Sequence, residues 1–123
     1  MALTRAQAPA LELPQEAVHV AELGGEVIVR GFGMPALLRF FAARREAIAR
    51  LAHLGDEQAQ EVAAGELVPL ALHLAVVVLD DGLPLYSEVQ WQVFGGMHPT
   101  AAMALFARVM ALSGTEHAAE KKT

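Results

Sequence analysis

The stretch LVPLALHLAVVVL, residues 67–79, has a single polar side chain, His73, and no formal charge. It limits the folds open to this chain more than any other segment does. Crossing a bilayer takes about 20 apolar residues, so a run of 13 has to be buried inside protein. Three consecutive valines favour a strand there, whereas the length and the leading Leu and Ala residues favour a helix. The reading adopted is a central buried helix over 66–79, with Pro69 in its first turn. Upstream, Asp56 is a plausible N-cap for a looser polar segment running to about residue 64, which Gly65 and Pro69 interrupt. Asp80-Asp81-Gly82 follows the apolar run and admits three readings: the tip of a hairpin, a metal loop, or a helix end. It lacks the alternating oxygen ligands and terminal glutamate of a calcium loop. With a helix before it, the aspartates close that helix and Gly82 reverses the chain, at a mild cost against the helix dipole.

The remainder organises around that centre. Residues 1–17, rich in Ala, Pro and Glu/Gln, read as a flexible arm. In VHVAELGGEVIVRGF the alternating Val18/Val20 and Val27/Val29 flank Gly24-Gly25, which predicts a hairpin of 18–22 with 26–31. Gly31-Phe32-Gly33 breaks the second strand. Residues 35–54 form the clearest helix, with Pro35 at its start and Gly55 as its stop. Leu37, Phe40, Phe41, Ala47, Ile48, Leu51 and Leu54 share one face of it. Ser87 and Gln90 form a capping box for a short helix over 87–94 that Gly95-Gly96 ends. A last helix over 99–113 turns Ala102, Met103, Phe106, Val109 and Met110 to the core and Arg108 away. Residues 115–123 read as a polar tail. The expected fold is therefore α+β and predominantly α, a single domain over 18–114 in which a short N-terminal hairpin packs on about four helices.

Chemistry is constrained mostly by exclusion. The chain has no cysteine, which removes disulfides, thiolate metal sites and cysteine nucleophiles. Its five histidines include no helical pair spaced for zinc hydrolysis. His73 reads as a hydrogen-bonded core or interface histidine, and His53 sits favourably at a helix C-terminus. Ser87 and Ser113 lie in no nucleophile elbow, and no glycine cluster precedes Lys-Ser/Thr. The reading is a non-enzymatic binding protein with no cofactor, no metal and no small-molecule substrate. The absence of a long apolar N-terminal region argues against a signal peptide, and the expectation is an intracellular protein off the membrane. A net charge of −5 argues against nucleic acid. Five of the seven arginines lie between Arg30 and Arg50, while Leu51 to Ala107 holds seven acidic residues and no Lys or Arg. That segregation is either plain solvation of two helix faces or the basis of head-to-tail homo-oligomerisation or docking on a charged partner.

The candidate partner-binding residues are the basic helix face of Arg39, Arg44 and Arg50, the apolar Phe40 and Trp91 taken as exposed, and the hairpin edge at Val27 and Val29. Arg44 falls within the apolar stripe, either laying its methylenes over the core or meeting a partner carboxylate.

Three stretches together resemble a known family. ELGGEVIVRGF is similar to the Gly-Gly hairpin and valine-x-arginine strand near the start of siphophage tail assembly chaperones of the lambda type. VVVLDDGLPLYS resembles the apolar segment that closes on Asp-x-Gly-x-Pro-Leu-aromatic-Ser, here Asp80, Asp81, Gly82 and Pro84. LFARVMALSG resembles the family's closing helix, so the resemblance spans roughly residues 18–114. Leu23 replaces a frequent aromatic, and Met34-Pro35 with an arginine-rich helix replaces a more acidic segment. The resemblance implies a phage tail assembly chaperone in the host cytoplasm, outside the mature virion. Such a protein coats the tape measure protein, keeps it soluble and helps recruit tail-tube subunits. It also implies a longer form made by programmed frameshift. Lys121-Lys122 after Glu120 allow a slippery GAA-AAA-AAG run, which an AAG-AAG pair at codons 121–122 would refute. The alternative from another class is a small α-helical regulatory adaptor with a different protein partner.

Overall fold

The computed structural model describes residues 2–9 and 11–114; the tail at 115–123 and its lysines lie outside the described residues. In chain order the elements are β1 (Gln15–Val20), β2 (Gly25–Arg30), α1 (Met34–Arg50), α2 (Asp56–Ala75), β3 (Val76–Val77), α3 (Glu88–Met97) and α4 (Pro99–Leu112). The class is α+β and mainly α, as expected. The sheet is antiparallel in the order β1-β2-β3, so β2 is its central strand.

The hairpin forms where alternation placed it, with Val18 opposite Val27 and Val20 opposite Gly25. Its first strand begins earlier, at Gln15, so residues 15–17 of the expected arm are sheet. Its turn also differs from a Gly-Gly connection. Ala21–Leu23 make one 3-10 turn that closes at Gly24, and Gly25 already belongs to β2. Ahead of the sheet, Arg5–Gln7 form another 3-10 turn in which the Gln7 side chain accepts the Thr4 N–H at 3.0 Å.

The largest departure is in the middle of the chain. α2 runs unbroken from Asp56 to Ala75, straight through Gly65 and Pro69, rather than starting afresh at Glu66. Asp56 is its first residue, with Gly55 in the capping position. A glycine and a proline inside a helix together cost about 4 kcal/mol. Burying Leu67, Val68, Leu70 and Leu72 returns roughly 6–12 kcal/mol by side-chain transfer, and tertiary packing wins. α2 then stops at Ala75, four residues short of the expected end, because its valines find a better use. Val76 and Val77 pair with Val29 and Ile28 of β2 as a third strand.

The aspartates therefore do not close a helix. The chain folds back on itself, with Val78 N–H donating to the Leu83 carbonyl (2.8 Å) and Leu85 N–H to that of Val76 (3.0 Å). Asp80-Asp81-Gly82 is the tip of this small hairpin, the first of the three readings, and no helix dipole opposes its acids. Asp81 Oδ1 accepts the Leu83 N–H at 2.9 Å, and Gly82 takes the left-handed conformation, φ 70°, which a side chain would resist.

The Ser87–Gln90 capping box forms as read, with Gln90 N–H donating to Ser87 Oγ at 3.1 Å and Ser87 N–H to Gln90 Oε1 at 2.9 Å. α3 continues past 94 through both glycines to Met97. α4 starts at Pro99, but its core face is Ala102, Leu105 and Val109; Met103 is exposed, with Phe106 and Met110 half-buried. Most of the core is one cluster linking β2, α2, α3 and α4, and a smaller one of Ala47, Leu51, Ala59 and Ala63 joins α1 to the first half of α2.

Candidate protein-binding surface

The predicted site residues divide sharply. Val27 and Val29 lie on the central strand, not at an edge, and are buried. β1 lies at one edge of the sheet, and β2 has a neighbour on each side. Trp91 is wholly buried, edge-on to Tyr86 and Phe94 at centroid distances of 5.1 and 5.3 Å. Phe40 is buried against Phe32, 5.3 Å away. None of these four is a surface anchor. The two aromatics offer far more apolar area than the valines and leucines beside them, so the helices turn them inward.

The arginines are on the surface. Arg39, Arg44 and Arg45 are exposed and join no ion pair among the described residues. Arg50 is engaged across the α1–α2 pair by Glu66, both side chains being well exposed. At 100° per residue, Met34, Leu38, Phe41 and Arg45 form one stripe of α1, about 140° from the buried Phe40 and Ala47. All four are exposed, Met34 at 66% and Leu38 at 59%. α1 is thus apolar on two sides, and the outer stripe itself carries the exposed Arg45.

A second outward stripe runs along α3. Val89, Val93 and Met97, spaced i, i+4, i+8, are all exposed. With Leu23 and Glu22 from the first hairpin's turn they border a groove of about 400 Å³ floored by Tyr86 and Phe94. Leu79 and Leu83, at 74% and 61% exposure, flank the aspartates at the other hairpin tip. Sequence reasoning did not single out Met34, Leu38, Val93 and Met97 as exposed apolar side chains. Their spacing was visible, but periodicity alone does not say which of two apolar stripes faces the core.

His73 takes the hydrogen-bonded position expected of it, Nδ1–H donating to the Tyr86 carbonyl at 2.9 Å. That bond ties the last turn of α2 to the segment leading into α3. Glu16 on β1 binds Arg108 of α4 through both carboxylate oxygens, one at 2.9 Å. The Arg108 hydrogen bond holds the Glu16 carboxyl below its usual 4.5, against a small opposing effect of burial. Among the described residues no cluster of three or more His, Asp or Glu is placed to hold a metal ion. Nor is any helix among them long and apolar enough to cross a membrane.

Comparison with protein-family models, curated proteins and solved structures gives no match. Function therefore has to be argued from the surface itself and from the sequence motifs.

Proposed function

We propose that the chain is a phage tail assembly chaperone that binds the tape measure protein, keeps it soluble and helps recruit tail-tube subunits. On this reading it acts in the host cytoplasm, does not enter the mature virion, and performs no catalysis. The observation that carries the reading is the outer stripe of α1. Met34, Leu38 and Phe41 are large, exposed and regularly spaced, Arg45 continues their stripe with Arg44 close to it, and neither arginine joins an ion pair among the described residues. Exposed apolar stripes with a charged border mark protein-docking faces. An i, i+4, i+7 row about 10 Å long suits the apolar side of another helix, the form a long helical tape measure presents. The three motif resemblances supply the identity of that partner.

Co-expression with a tape measure protein, the long helical partner the proposal names, tests it. The chain should raise the soluble fraction of that protein, and Leu38→Glu with Phe41→Glu should return it to the pellet while the variant itself stays folded. Equal insolubility of the long protein with and without the chain would sink the reading. Solubilisation that survives the double substitution would remove α1 as the docking face.

A further inference from the structure

Two apolar rows stand open on the surface, and each has what the other lacks. The outer stripe of α1 is convex. Met34, Leu38 and Phe41 are exposed along about 10 Å of helix, and the stripe ends in the exposed Arg45, with Arg44 one residue before it. The row on α3 borders a hollow instead. Val89, Val93 and Met97, exposed along about 12 Å of helix, edge the groove of about 400 Å³ that Leu23, Tyr86 and Phe94 complete. Its one formally charged wall residue is Glu22, exposed at the first hairpin's turn, and no Lys or Arg lines it.

Charge decides which surface covers which. Arg44, Arg45 and Glu22 join no ion pair among the described residues. Two copies meeting stripe to stripe would gather Arg44 and Arg45 of both chains with no acid in either stripe. Two meeting groove to groove would bring together Glu22 of both chains with no Lys or Arg in either groove. Stripe to groove sets a cation against an acid and covers both apolar rows at once. The rows also agree in length, as a helix laid in a groove requires.

We propose that the α1 stripe of one chain docks in the α3 groove of a second copy, with Arg45 facing Glu22. The contact is heterologous. Each chain gives its stripe to one neighbour and its groove to another, so assembly closes a ring or runs on. The inference rests on the proposed function only in treating the α1 stripe as a docking face. It adds a regulation of that face: in the free protein a second copy covers the stripe, and a partner helix has to displace it.

Sedimentation equilibrium of the purified full-length chain, with no tape measure protein present, tests this. The average mass should rise with concentration. Leu38→Glu with Phe41→Glu removes the stripe, and Val93→Glu with Met97→Glu removes the groove. Each double variant alone should stay monomeric with wild-type circular dichroism. Their equimolar mixture should reach the mass of two chains and stop there, because one intact stripe and one intact groove remain between them. Arg45→Glu and Glu22→Arg should each weaken self-association about two- to fivefold, the range of a partly exposed ion pair, and the chain carrying both should recover it. A wild-type chain that stays monomeric to millimolar concentration overturns the proposal. So does a mixture of the two folded double variants that stays monomeric, or self-association that persists undiminished in either one alone. A tape measure protein that stayed insoluble on co-expression would leave these masses unchanged, so the two readings fail separately.

Discussion

Gly31 sits where three segments meet, and replacing it with alanine should be costly for a purely steric reason. Its N–H donates to the Pro14 carbonyl at 2.8 Å, and the next residue's N–H, on Phe32, donates to Ser113 Oγ at 2.9 Å. The end of β2 is thereby fastened both to the entry of β1 and to the end of α4. A side-chain carbon on Gly31 would lie 2.6 Å from the Leu112 carbonyl oxygen, 3.0 Å from its carbon and 3.2 Å from Pro14 Cγ. The nearest obstacle is backbone, so no rotamer change relieves it. Overpacking of this kind costs about 1–3 kcal/mol, and loosening either hydrogen bond adds about 1 kcal/mol. The stiffer unfolded chain returns about 0.4–1 kcal/mol. The net expectation for Gly31→Ala is a loss of roughly 2–3 kcal/mol, or about 8–12 °C in Tm for a chain of this length. Urea unfolding followed by Trp91 fluorescence and by circular dichroism measures it, with the midpoint falling at unchanged slope. Gly25→Ala is the control, because nothing lies within 4 Å of a side chain there; it should be neutral or slightly stabilising. Gly31→Ala within about 0.5 kcal/mol of wild type would refute the close-approach argument.

Three further outcomes follow from other parts of the molecule. Gly82→Ala, forcing a side chain into the left-handed tip at φ 70°, should cost about 1–2 kcal/mol in the same denaturation assay. Ala63→Leu should lose about 1–3 kcal/mol, since Ala63 has no exposed surface where α1 meets α2; calorimetry reads this as a lower Tm. Glu16→Gln should destabilise by about 1 kcal/mol or less at neutral pH, as partly exposed ion pairs do. The Glu16 carboxyl is held below 4.5 in the fold, so its contribution is present above that value and lost as pH falls through the lower folded one. Wild type and variant should therefore converge in stability in acid, and a gap that persists well below pH 4 would contradict the assignment to this pair.

How much of this was legible in the sequence depends on whether the signal is local. The valine alternation of the hairpin, Pro35 at the start of α1, the Ser87–Gln90 box and Pro99 at the start of α4 each act within a few residues, and each element formed nearly where read. The continuity of α2 was hidden because Gly65 and Pro69 are breakers locally, and only neighbours on two sides outweigh them. β3 was hidden for the converse reason. Val76 and Val77 become a strand only because β2, nearly fifty residues earlier, has an edge to offer. The same limit governs the surface. Arg39 and Arg50 were legible as exposed from charge and position, whereas Arg44, inside the apolar stripe, was not. Phe40 and Trp91 were misplaced because large aromatics serve equally as anchors in a core or on a surface, and the distinction lies in what the fold puts opposite them.

The separate small cluster between α1 and the first half of α2 has its own consequence. Ala47, Leu51, Ala59 and Ala63 bury little area compared with the main core, and three of the four are alanines. Ile48 and Leu54 pack on the cluster only in part, and the exposed engagement of Arg50 with Glu66 adds little. Such a unit opens at lower free energy than the rest of the domain. Amide hydrogens at the end of α1 and the start of α2 should exchange by a sub-global route that spares β2 and the second half of α2. The end of α1 carrying Arg44 and Arg45 would then be the part of the molecule freest to adjust its angle to whatever lies against it, hinged on a centre that stays closed.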